Sequence, residues 1–327
     1  MTARRVKLPL VPASFFGIVL GIIGLGNSWR AAHQLWGLPA DIGEVLMAVG
    51  VVVWAVIVLF YVAKWIFSAD AALSEALHPI QCCFIGLAGV TTMLVAIAAQ
   101  PYHRIAALII YAIGLVFTLG FALWRTGQLW RGGRDPAAST PVLYLPTVAG
   151  SFVTAIGAGA LGFPDWGRLA FGAGLFSWLA VESVLLHRLY TADALPAAIR
   201  PTLGIQLAPP TVGALAYLSV TEGPPDMVVS ALIGYGMLQL LLLVRLLPWI
   251  LEHRLSASYW GFTFGLTALA SSLLKMVIHG DHGPAATMAP IVFVVVNLVI
   301  GALVLRTIWL LVSGRILAPA VAPPQQA

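Results

Sequence analysis

The sequence predicts an all-α membrane protein: ten transmembrane helices form five helical hairpins, the five odd-numbered helices making an inner ring around a pore and the five even-numbered ones an outer ring. Three observations predict it. Hydrophobic residues make up 60% of the 327 residues and charged ones only 9%, where a soluble globular protein carries about 25% charged residues. Ten apolar stretches each approach the roughly 20 residues a helix needs to cross the hydrocarbon core. In most pairs the first stretch carries the proline and more of the hydroxyls.

Taken in order, the spans fall at about 13–32, 43–66, 81–99, 104–126, 142–163, 168–190, 201–220, 228–250, 258–278 and 287–313. The first follows a basic segment without an Ala-x-Ala-type cleavage site, so it reads as a span and not a leader. The third carries Cys82 and Cys83, which are adjacent and supply neither a disulfide framework nor a spaced metal site. Connections are short and leave no room for a soluble domain. Residues 13–316 therefore read as one transmembrane channel domain, with a cytoplasmic segment 1–12 before it and a disordered, Pro- and Gln-containing tail 317–327 after it.

A repeat runs through the hairpins. Pro12, Pro79, Pro146 and Pro209 lie 67, 67 and 63 residues apart, each at or within the first helix of its pair. The fifth hairpin has Gly261 and Gly265 in that place. An interior proline frees a carbonyl that lipid leaves unsatisfied, so such breaks face protein or a wet cavity. Pro12 and Pro79 also fit the ordinary use of proline at a helix start, whereas Pro146 and the Pro209-Pro210 doublet read as deeper. Over the stated windows the odd spans hold 15 Ser and Thr in 102 residues and the even spans 8 in 120. The odd helices therefore form the inner ring, and the Val-, Leu- and Ile-rich even ones the wall against lipid.

Orientation follows from the excess of Lys and Arg in cytoplasmic loops. With both termini cytoplasmic, that side holds Arg4, Arg5, Lys7, Lys64, Arg125, Arg131, Arg134, Arg188, Arg200, Arg245, Arg254, Arg306 and Arg315, and the other holds Arg30, Arg104, Arg168 and Lys275. Trp29, Trp65, Trp124, Trp166, Trp249 and Trp309 near span ends match an interfacial aromatic belt. A multi-pass protein of the cell (inner) membrane is the expectation. The net charge of +5 is spread along the chain and makes no stripe for nucleic acid.

Motifs for chemistry are sparse. Gly157-Ala-Gly159-Ala-Leu-Gly162 fits the dinucleotide fingerprint formally, but these glycines close an apolar span and lack the strand the motif requires. His279, Asp281 and His282 in a Gly-rich loop are too few to specify a metal site. No nucleophile with a paired base appears, so neither enzyme activity, cofactor nor metal is expected. Charges inside spans are costly and usually functional. Glu182 in the sixth span and Arg245 in the eighth read either as a structural ion pair or network between outer helices or, for Glu182, as a proton-coupling carboxylate. Lys275, near the outer end of the ninth span, is a candidate for the external mouth; it draws anions there or snorkels to headgroups.

The inner ring contains no carboxylate, which disfavours a cation site of the acidic-ring type, while broken helices offer N–H groups and hydroxyls to an anion. Candidate pore-lining or kink residues are Pro12, Phe16, Pro79, Pro146, Ser151, Pro209, Pro210, Gly261, Thr263, Gly265 and Thr267. A bulky ring from Trp260-Gly-Phe-Thr-Phe-Gly265 pointing into a narrow pore would block ions by steric exclusion and dewetting.

Further stretches carry a resemblance over nearly the whole chain: Pro12-Ala-Ser-Phe-Phe-Gly-Ile, Tyr144-Leu-Pro-Thr-Val-Ala, Phe171-Gly-Ala-Gly with Glu182, Pro201-Thr-Leu-Gly-Ile-Gln-Leu-Ala-Pro, Gly234-Tyr-Gly-Met-Leu-Gln-Leu and Arg245-Leu-Leu-Pro-Trp249. With the ninth-span stretch, their order and spacing resemble the family of TehA-type bacterial tellurite-resistance proteins, plant guard-cell slow anion channels and fungal dicarboxylate and sulfite permeases. The resemblance implies a homotrimer in the lipid bilayer, each protomer with its own pore, occluded by a ninth-helix phenylalanine that matches Phe264, with Phe262 as the competing assignment. The expected function is a gated channel for small anions such as chloride or nitrate; the alternative is a proton-coupled exporter or permease of small oxyanions or C4-dicarboxylates. Lys275 and the Pro209-Pro210 doublet depart from the family pattern.

Overall fold

The computed structural model describes residues 9–252 and 256–317. Arg4, Arg5, Lys7, Arg254 and the tail beyond Leu317, which entered the reading of orientation and termini, lie outside the described residues. Ten helices are long and apolar enough to span a membrane: Ala13–Trp36, Ala40–Phe67, Gln81–Ala99, Arg104–Trp130, Pro141–Ala160, Pro164–Thr191, Ala197–Val220, Met227–Ile250, Ala257–Ile278 and Pro284–Val312, called here the first to tenth spans. All regular elements among the described residues are helical. The first span outruns its apolar stretch because polar residues carry the helix on until Gly37, whose left-handed φ of 68° closes it. Proline opens the sixth and tenth spans, where the missing N–H costs nothing. Asp226 caps the eighth by accepting from Val228 N at 2.9 Å and Val229 N at 3.2 Å. A short helix not foreseen from the apolar pattern, Ala69–Leu77, lies between the second and third spans.

Odd and even spans differ in burial. The most apolar windows of the odd spans are 67–83% buried and those of the even spans 17–33%. Among the described residues, every exposed large apolar side chain within a span belongs to an even one, apart from Trp36 at the end of the first. Contacts run from the first span to the third, third to fifth, fifth to seventh, seventh to ninth, and from the ninth back to the first. The tryptophans divide. Trp65, Trp124, Trp166 and Trp309 are exposed near span ends, Trp249 lies under the Arg200 guanidinium, and Trp29 packs against the tenth span, donating to Asn297 Oδ1 at 2.8 Å.

Each odd span opens irregularly at the same end of the bundle. Tight 3₁₀ geometry covers Ala13–Phe15, Gln81–Gly86, Pro141–Leu143, Ala197–Leu207 and Ala257–Phe262, and a π-turn covers Leu145–Ala149. No even span begins this way. The prolines fit this change of winding. Pro12 precedes the first turn, Pro79 sits in the turn before the third span, and Pro146 lies in the π-turn. The doublet Pro209-Pro210 looked interior by sequence, but the α-helical part of the seventh span starts only at Ala208, so both prolines fall in its first turn.

The start of the first span is held by a buried ion pair. Lys64 Nζ of the second span lies 2.6 Å from Glu75 Oε2 of the short helix, with the two side chains 4% and 10% exposed. Lys64 also donates to Val11 O at 2.9 Å, and Glu75 Oε1 accepts from Ala13 N at 2.8 Å, satisfying the first N–H of the span. Removing one partner of a buried pair leaves an uncompensated charge. Lys64→Met should cost about 3 kcal/mol, read as a lowered melting temperature in detergent, and Lys64→Met with Glu75→Gln should recover part of the loss.

Candidate functional site

Two cavities lie within the cycle of odd spans, and all five contribute to each. The first, about 40 Å³, stands at the end where the odd spans begin and is almost wholly apolar. Its deepest lining residues along each span are Leu20, Leu87, Phe152, Val212 and Phe264; Tyr144, Pro209, Trp260 and Gly261 lie nearer its opening, with Ser14 and Ser258 as hydroxyls. A few waters fill such a volume. The second, about 310 Å³, stands at the opposite end and is polar, lined among others by Asn27, Arg30, Gln34, Ser219, Ser271 and Lys275. No carboxylate lines either cavity, and they share no residue.

On four of the five odd spans the two cavities lie on one helical stripe; on the third, Ile97 of the polar cavity stands ten residues beyond Leu87 and so off that face. In a helix with 3.6 residues per turn, positions seven and eleven apart return to one face. Phe264 of the first cavity is followed at those intervals by Ser271 and Lys275 of the second, and Leu20 by Asn27 and Ala31. Val212 is followed in the same way by Ser219, and Phe152 by Gly159. The stripe turned to the apolar cavity thus continues into the polar one. Leu94, seven residues beyond Leu87, and Ala268, between Phe264 and Ser271 in the ninth span, are both buried.

The candidates from sequence distribute unevenly over this geometry. Pro209, Gly261 and Phe264 line the apolar cavity, and Phe264 is 7% exposed. Phe262 lies against Gly204 and stacks on Tyr259 at 6.3 Å, away from both cavities. Phe16 packs edge-on against Tyr61 of the second span, Ser151 and Pro210 face Gly174 and Gly236 of the sixth and eighth, and Pro79 is exposed in its turn. Pro12 and Pro146 shape span starts without lining a cavity. Thr263 and Thr267 point at Gly21 and Gly24 of the first span and give their hydroxyls to carbonyls of their own helix, Trp260 O at 2.8 Å and Thr263 O at 2.9 Å. Gly265 meets the backbone of Leu207 and Ala208.

Lys275 reaches into the polar cavity and donates to Ser219 Oγ at 3.1 Å. Sequence reasoning passed over its neighbours Asn27, Arg30, Ser219 and Ser271; the seven-residue spacing from Phe264 to Ser271 was the available signal. The fingerprint-like glycines end the fifth span, with Gly157 against Tyr111 and Gly159 against Ser219 O. Cys82 and Cys83 are free and buried. Asp281 Oδ1 accepts from Gly283 N at 2.6 Å in the turn holding His279 and His282, and among the described residues no group of three His, Cys, Asp or Glu is placed for a metal ion.

Glu182 and Arg245 do not pair, which corrects the ion-pair reading. Arg245 is exposed on the eighth span. Glu182 instead accepts from the Tyr144 hydroxyl and from Trp178 Nε1 at 3.0 Å on Oε2, and from the Tyr235 hydroxyl at 2.5 Å on Oε1. Neutral donors from three spans surround the carboxylate, and Tyr144 joins it to the wall of the apolar cavity.

The family model described as SLAC1, voltage-dependent anion channel, matches residues 11–308. The chain is 37% identical over 306 residues to the tellurite resistance protein TehA homolog of Haemophilus influenzae, covering 93% of this chain and 92% of that one. It is 25% identical over 278 residues to the guard cell S-type anion channel SLAC1 of Arabidopsis thaliana, covering 81% of this chain and 49% of that one. An uncharacterized transporter of Methanocaldococcus jannaschii is 24% identical over 288 residues, 79% of this chain and 81% of that one.

The hydroxyl of Tyr144 is testable as a structural tie. Tyr144→Phe leaves Glu182 short of one donor and should cost about 1–3 kcal/mol, measured as a fall in the melting temperature of the detergent-solubilised protein.

Proposed function

The chain belongs to the SLAC1 family of voltage-dependent anion channels, and from that premise we propose that it conducts small inorganic anions such as chloride or nitrate through a passage enclosed by its own five odd spans, with Phe264 as the gate. The observation that carries this reading is the stripe that four of the five odd spans turn to both cavities, with no carboxylate in the lining of either. A cation meets no countercharge along that route, while an anion meets hydroxyls and the basic side chains of the polar cavity.

Phe264 is among the deepest lining residues of the apolar cavity. A phenyl ring in a space that holds only a few waters excludes a hydrated ion by size and by dewetting. Phe262, packed on Gly204 and Tyr259, has no such position. The three neutral donors around Glu182 favour a structural role for it, and with it a channel over a proton-coupled exporter.

The proposal includes assembly as a homotrimer in the cell (inner) membrane with both termini cytoplasmic. The polar cavity then opens to the outside and the apolar one to the cytoplasm.

Phe264→Ala should raise chloride and nitrate conductance severalfold in reconstituted bilayers, while Phe262→Ala should leave it near the parent value. A Phe264→Ala protein that folds normally and passes no more current than the parent removes the gate from Phe264.

A further inference from the structure

The two basic side chains of the polar cavity are not equivalent. The Arg30 guanidinium is held by the Glu44 carboxylate through Nε and Nη2, both at 2.7 Å, and also donates to Ile97 O at 3.3 Å and Ala98 O at 3.2 Å. Its charge is compensated within the protein. Lys275 is in none of the ion pairs among the described residues. Among the described residues its ammonium donates to Ser219 Oγ alone, and that hydroxyl in turn donates to Leu215 O at 2.7 Å. An ammonium has three donors, so two remain for the cavity. The hydroxyl of Ser271 and the amide of Asn27 line the same space.

We propose that this cavity is an anion-binding antechamber, in which Lys275 supplies the uncompensated charge that concentrates small monovalent anions at that end of the passage. This rests on the proposed channel reading and names the residue that sets its anion affinity. Three features support it. Only the odd spans line the cavity, so the headgroups that a snorkelling lysine seeks at the rim are not what Lys275 meets. A volume of about 310 Å³ admits an anion with part of its hydration shell. Lys275 also stands eleven residues beyond Phe264 on the same helical face, about 16 Å along the axis, so it attracts anions without holding them at the constriction. A fixed charge in a low-dielectric cleft raises the local counter-ion concentration.

The test uses the full-length protein with Phe264→Ala as the open background and sodium nitrate as the probe, sodium gluconate serving as the bulky control. Current is recorded against nitrate concentration on the side of the polar cavity. Adding Lys275→Gln should raise the half-saturating nitrate concentration about tenfold at low ionic strength, and Lys275→Arg should hold it close to the background value. An unchanged half-saturation in Lys275→Gln overturns the proposal. If Phe264→Ala passes no current, the gate assignment to Phe264 fails by itself, and the site is then judged by nitrate-induced stabilisation of otherwise unaltered protein in detergent. A thermal shift present in the parent and lost in Lys275→Gln supports the antechamber; a shift equal in both overturns it.

Discussion

The architecture depends on how closely the odd spans approach one another. Lipid tails are as apolar as leucine, so helices in a bilayer gain little from burying apolar surface against each other and associate through tight packing and small residues. Gly159 of the fifth span, whose Cβ would stand 2.0 Å from Ser219 O of the seventh, is the sharpest case, and Gly24 of the first span and Gly265 of the ninth are further ones. A Cβ on Gly24 would stand 2.2 Å from Thr267 Oγ1, and one on Gly265 would stand 2.9 Å from the backbone of Leu207 and Ala208. Larger residues there would push the spans apart, and the space between the stripes would widen with them. The narrowness of the apolar cavity therefore owes as much to contacts behind the lining as to the lining itself.

The same contacts explain why hydroxyl content marked the inner helices. Thr91, Thr154, Thr211, Thr267 and Ser219 return their hydroxyls to carbonyls three or four residues earlier in their own helices. Few hydroxyls line the cavities: Ser14 and Ser258 in one, Ser219 and Ser271 in the other, besides the phenol of Tyr144. Ser and Thr are favoured in the odd spans chiefly because they are compact and satisfy themselves in a dry environment. The surplus pointed to the correct helices for a reason other than a polar passage.

Much of the fold was legible because it is written in short-range patterns. Span positions follow from apolar length, the hairpin repeat from proline spacing, and the buried set from small and hydroxyl residues. The site was legible only where one helix carries the signal, as in the ninth span. Long-range pairing left no trace in the sequence. Nothing near Glu182 announces Tyr144 and Tyr235, which reach it from 38 and 53 residues away. Nothing near Lys64 announces that Glu75 folds back on it through a helix too short to register as a span. Arg245 attracted attention as a charge in an apolar run, yet an exposed position lets its long side chain travel toward a polar boundary.

The tight turns at the head of each odd span have a mechanical corollary. A 3₁₀ segment rises about 2.0 Å and turns about 120° per residue, against about 1.5 Å and about 100° in an α-helix. Rewinding the six residues Ala257–Phe262 to α geometry would shorten that stretch by about 3 Å and rotate one end relative to the other by about a third of a revolution. Phe264 stands immediately beyond that stretch. Because Phe264 belongs to the α-helical part that follows, a screw-like change of pitch there would swing Trp260 and Gly261 of the apolar cavity's wall about the axis while the ring and the far half of the helix stay in place.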